Sequence, residues 1–207
     1  MRDLERALAE IGEIRSQVAR GTRFQGYGPA TFAATGLLAA LAAVGQARWL
    51  PPASTAADPG AYLLLWCAVA VVSVALIGVE MVARSRRIHT GLADEMIRSA
   101  VEQFLPAGLA GALLTAVLWR YAPQSLWMLP GLWQIVFGLG VFSSCRFLPR
   151  PMLSVGAWYL ASGLFCLAFA SGGQALAPWA MGVPFGVGQL WAAAVLYWNL
   201  ERSDGDL

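Results

Sequence analysis

Two glutamines stand where an apolar run would exclude them: Gln134 in "LPGLWQIVFGLG" (129–140) and Gln189 in "WAMGVPFGVGQ" (179–189). A primary amide carries two N–H donors and a carbonyl acceptor, so it can hold a helix backbone or a neutral solute but supplies no acid or base near pH 7. Each glutamine follows a proline, Pro130 or Pro184, by four or five residues, and each has a tryptophan close by, Trp133 or Trp191. Proline inside a helix lacks the N–H and displaces the carbonyl of residue i−4, here Leu126 or Ala180, so a kink is expected at both levels. In hydrocarbon the freed carbonyl and the amide must find partners in a neighbouring helix, water or a solute. Two readings follow. The glutamines tie helices together, through bonds that average about 0.6 kcal/mol; or Pro130, Trp133, Gln134, Pro184, Gln189 and Trp191 line a site for an uncharged solute.

Other chemistry is sparse. Glu80 and Arg84 are one helical turn apart and are expected to pair at the membrane interface. Arg84, Arg86 and Arg87 form a cluster that suits acidic lipid head groups, and equally suits a topology determinant at a helix end. The single histidine, His89, lies in the same loop, which leaves no intramembrane His–carboxylate or haem-ligand pair. Cys67, Cys145 and Cys166 lack the spacing of a disulfide framework or a zinc site. There is no H-E-x-x-H, no P-loop, no Ser/His/Asp set at a common depth, and no basic groove interleaved with aromatics. The expectation is therefore no catalysis, no cofactor, no metal and no nucleic acid.

The elements that position the glutamines follow from composition. The 207 residues are 58% hydrophobic and 13% charged, against about 25% charged in ordinary soluble domains. Apolar runs give six spans, about 28–47, 61–83, 104–119, 126–144, 152–171 and 177–200. Turn-rich segments such as "RWLPPASTAADPG" and "SGGQALAP" separate them. The third span is short, so it must borrow Val101 to Gln103, thin the bilayer, or form a re-entrant hairpin with the fourth. An aromatic residue and then a proline open the odd-numbered spans in "FQGYGP" (24–29), "FLP" (104–106) and "FLP" (147–149), which suggests repeated helical hairpins. The fold class is all-α: a polytopic membrane protein with six transmembrane helices in residues 24–200.

The arginines orient it. All 14 basic residues are arginine, and all but Arg48 and Arg120 fall on one side of the six spans. The positive-inside rule puts that side, with both termini, in the cytoplasm. Arginine in place of lysine, with abundant Ala and Gly, points to a GC-rich bacterial genome and so to the bacterial inner membrane. Residues 1–23 are charged throughout, which argues against a cleaved signal peptide. Leu4, Ala7, Ile11, Ile14 and Val18 there recur at helical spacing, an amphipathic cytoplasmic helix. A second helical segment, 84–103, feeds the third span, with Pro106 expected to break or kink it. Residues 201–207 form a cytoplasmic tail.

Three functions are weighed. A non-catalytic membrane protein would act in assembly, scaffolding or regulation, meeting lipid, a second copy or a membrane partner through its cytoplasmic helices. A small transporter or channel would carry an uncharged or hydrophobic solute. A lipid-modifying enzyme lacks an acid–base set at membrane depth. The topology carries its own test: cysteine tags at either end should react with an impermeant reagent only after the inner membrane is opened. Labelling of the two ends from opposite faces contradicts it.

Overall fold

The computed structural model describes residues 28–50, 59–88, 92–145, 148–170, 174 and 176–204, by backbone alone at 84–88, 92–97, 99–100 and 200–204. The order is α1 (Pro29–Trp49), α2 (Pro59–Ile88), α3 (Leu92–Tyr121), a 3₁₀ segment (Pro123–Met128), α4 (Leu129–Ser144), α5 (Met152–Phe169) and α6 (Pro178–Asp204). Proline sets most of the starts. Pro29, Pro59, Pro123, Pro130 and Pro178 lie in the first turn of their helices, where a missing N–H costs no hydrogen bond and φ is already helical. Pro106 and Pro184 are interior. α3 runs through Pro106 without a break, and Pro130 opens α4 instead of kinking a longer helix.

Among the described residues, six stretches are long and apolar enough to cross a membrane: Pro29–Trp49, Pro59–Ala83, Val101–Tyr121, Pro123–Ser144, Met152–Phe169 and Pro178–Asn199. The shortest has 18 residues and the longest 25, or about 27 to 38 Å at helical rise, against a hydrocarbon core of about 30 Å. The third reaches full length by taking in Val101 to Gln103, and the 3₁₀ segment lengthens the fourth. Leu41, Val71, Leu109 and Phe169 are each more than half exposed. Acyl chains solvate such a surface; water would drive it together. The chain is a multi-pass membrane protein. The amphipathic helix expected at 1–23 lies outside the described residues, as do the side chains of Arg84, Arg86 and Arg87.

Consecutive helices pack on one another, and α6 closes the ring by packing on α1. The closest pairs are α1 with α6 and α4 with α5, partnerships that run between the hairpins suggested by the repeat rather than within them. α6 is the most enclosed span, whereas α3 buries none of its apolar window and α2 little. The core therefore follows α6, with α2 and α3 on the lipid side.

Glycine sets the spacing at these two contacts. Between the antiparallel α4 and α5, a Cβ on Gly163 would lie 2.7 Å from the Gly131 carbonyl, and one on Gly131 would lie 2.7 Å from the Gly163 carbonyl. Two turns along, a Cβ on Gly138 would lie 3.1 Å from the Gly156 carbonyl. In lipid, apolar side chains gain little by leaving the acyl chains, so helix association depends on such close backbone packing. Between α1 and α6, a Cβ on Gly36 would lie 3.1 Å from the Gly186 carbonyl, and one on Gly182 would collide with the Ala43 methyl. At Gly78 and Gly108 an added methyl meets nothing within 4 Å. Gly163→Ala should therefore destabilise the bundle by about 1–3 kcal/mol through overpacking against backbone, read by unfolding in mixed micelles. Gly108→Ala should leave stability unchanged or raised; equal losses at both positions would contradict this packing.

Candidate functional site

Several buried polar groups gather along α6 in two places. The first is built around its first turn. Gln134, one turn into α4 and wholly buried, donates from Nε2 to the Ala180 carbonyl at 2.8 Å. Ala180 is residue i−4 from Pro184, so its carbonyl has lost its helical donor. The glutamine on α4 supplies the N–H that Pro184 removes from α6. Cys166 on α5 joins from a third helix, with Sγ 3.6 Å from the Gln134 amide nitrogen and 3.6 Å from the same carbonyl. Tyr62 of α2 is also buried. The Tyr62 hydroxyl and Gln134 Oε1 have no hydrogen-bond partner.

A second amide braces the same end. Gln46 Nε2 donates to the Leu176 carbonyl at 2.7 Å, and Trp66 Nε1 donates to Gln46 Oε1 at 2.9 Å. One side chain thus links α1, α2 and the segment leading into α6, with both halves of the amide satisfied. Sequence reasoning passed over Gln46 because "GQARW" ends a span beside Arg48; the usable signal was an amide one turn inside an apolar helix.

The second place lies deeper. Gln189 packs its Cβ 3.1 Å from where a Cβ on Gly36 would be. Tyr159 of α5 is fully buried, its ring centroid 4.7 Å from Phe137 and 5.2 Å from Phe185. Its hydroxyl abuts Gly188, where an added Cβ would come within 2.5 Å. The Gln189 side chain is the polar neighbour of that hydroxyl, and Gln189 Oε1 is left without a hydrogen-bond partner. Tyr159 escaped notice in the sequence because a tyrosine in the middle of the apolar "GAWYLASG" reads as packing rather than as a polar group.

The residues expected to share one site are therefore distributed. Gln134 meets α6 at Ala180, nine residues before Gln189 and so about 13 Å away along the helix. Pro184 lies between the two levels. Trp133 turns to α3 and donates from Nε1 to Thr115 Oγ1 at 2.9 Å. Trp191, 40% exposed, stands beside Trp158 on the outside, and it is Trp158 that donates to the Pro184 carbonyl at 3.0 Å. Pro130 is buried at the start of α4. Glu80 sets its carboxylate against Gly28 at the N-terminus of α1, where the helix dipole favours negative charge by about 0.3–1 kcal/mol.

The arrangement makes a double-substitution test. Gln134→Leu should cost about 1–2 kcal/mol of bundle stability, at the upper end for interhelical bonds, because it orphans a carbonyl. In a Pro184→Ala background the restored backbone N–H satisfies Ala180, so the same change should cost much less. Equal costs in both backgrounds would break the link between Gln134 and Pro184. No known protein family, curated protein or solved structure matches this chain.

Proposed function

We propose that this is a non-catalytic protein of the bacterial inner membrane that acts in assembly, scaffolding or regulation, meeting its partners through the cytoplasmic ends of its helices. The observation that carries this reading is the direct bond from Gln134 Nε2 to the Ala180 carbonyl. The most prominent intramembrane amide contacts another helix instead of facing a solute path. Gln46 acts likewise on α2 and the lead-in to α6. α2 and α3 continue as helix past their apolar windows, to Ile88 and from Leu92, which offers a pair of helical stalks on the arginine-rich side. Arg98 and Glu102 pair on the second stalk at 2.7 Å, both well exposed.

A second reading, a small transporter or channel for an uncharged solute, is favoured by one feature. Gln134 Oε1 and Gln189 Oε1 are buried without partners, and a solute could use them. The two readings separate on the Gln134→Leu/Gln189→Leu double variant reconstituted in vesicles. The scaffold reading predicts weakened assembly and partner capture, with solute permeability equal to that of protein-free vesicles before and after substitution. A wild-type flux that disappears while the variant still assembles would overturn it.

A further inference from the structure

We infer that the lipid-facing pair of Trp158 on α5 and Trp191 on α6 binds a neutral, flat, hydrocarbon-soluble ring that carries a carbonyl, the chemistry of a quinone. Four tryptophans lie well inside the membrane-spanning stretches: Trp66, Trp133, Trp158 and Trp191. Three of them give their indole N–H to the protein, Trp66 to Gln46 Oε1, Trp133 to Thr115 Oγ1 and Trp158 to the Pro184 carbonyl. Trp191 Nε1 has no such partner among the described residues. Its ring is 40% exposed, and acyl chains rather than water surround it. An N–H in hydrocarbon is costly until it finds an acceptor.

Depth sets the lipid's own oxygens apart from that donor. Trp191 lies eight residues before Asn199, the nearer end of its span, and so about 12 Å inside. Helical side chains lean toward the helix N-terminus, which carries the indole farther from that end. Ester and phosphate oxygens stay outside a hydrocarbon core of about 30 Å, beyond the reach of a hydrogen bond. The rings then set the shape of the ligand. Trp158 and Trp191 stand with centroids 6.3 Å apart and planes at 53°, and the bond from Trp158 to Pro184 holds one of the two in place. Such a pair offers a face and an adjacent edge to a third ring. The medium excludes charge, and the free donor asks for a carbonyl. A second copy of the chain meets these needs less well. The exposed residues within a turn of the pair, Ala157 and Ala161 on α5 with Val187 and Leu190 on α6, bring no side-chain acceptor. A twofold contact through this face would set one unmet N–H against another. The inference does not rest on the scaffold reading, because the pair lies on the outside of the bundle.

Indole N–H spectra of the full chain, nitrogen-labelled at tryptophan and held in nanodiscs, test it. The probe is decylbenzoquinone, with decylbenzene as the matching ring and chain without carbonyls. The indole signal that disappears in Trp191→Phe should move downfield and saturate with the quinone, and stay in place with the hydrocarbon. The signals of Trp66 and Trp133 should hold throughout. Trp191→Phe keeps a ring and removes the donor, so quinone binding read from the Trp158 signal should weaken by about two- to tenfold, the worth of one hydrogen bond. A Trp191 signal that ignores the quinone, or follows decylbenzene equally, would overturn the proposal. So would one that shifts on dilution of the chain into more lipid, since a second copy would then be the occupant.

Discussion

A hydrocarbon solvent leaves no backbone carbonyl free. That constraint organises this molecule from Pro184 outward. Proline in the second turn of α6 removes the donor for Ala180, and nothing in lipid can replace it. The replacement comes from Gln134 on α4, with the Cys166 thiol of α5 beside it. A defect in one helix becomes a joint among three. Because α6 is also the most enclosed span, the joint sits where the rest of the bundle converges.

Close approach is the second half of the same argument. An amide reaches a carbonyl on another helix only if the backbones are near. The glycines of α4 and α5 and of α1 and α6 permit that, with added methyls falling at 2.7 to 3.1 Å from opposing carbonyls. Gly163 shows the coupling directly: its missing Cβ would meet both the Gly131 carbonyl and the Cβ of Gln134. Small residues and polar side chains act together here, the former setting the distance and the latter the register. The outer hairpin of α2 and α3 has few such contacts and turns its Val and Leu side chains to lipid.

The six spans were legible because apolar length is a property of the chain alone. So was the identity of the freed carbonyl: the i−4 rule points to Ala180 from Pro184 without any structure. What a single chain could not carry was pairing. Gln134 and Gln189 look like twins at matching places in similar segments, yet one bonds across helices near the start of α6 and the other lies nine residues deeper, beside Tyr159. Pro130 and Pro184 also look alike, but a 3₁₀ segment ahead of α4 turns the first into a helix start. Trp133 and Trp191 sit next to or near the glutamines in sequence and face elsewhere, since adjacent helical residues diverge by about 100°. Gln46 was hidden for the opposite reason: it reads as an interfacial residue until its neighbours are known.

The central claim is that Gln134 holds the carbonyl released by Pro184. Solid-state NMR on the chain in lipid bilayers, with carbon label at the Ala180 carbonyl and nitrogen label in glutamine side chains, measures it without perturbing the protein. The account predicts a dipolar coupling that fits a 2.8 Å nitrogen–oxygen separation and vanishes in Gln134→Leu while other glutamine signals persist. A carbonyl with no glutamine nitrogen in range, or a coupling that survives that substitution, would contradict it.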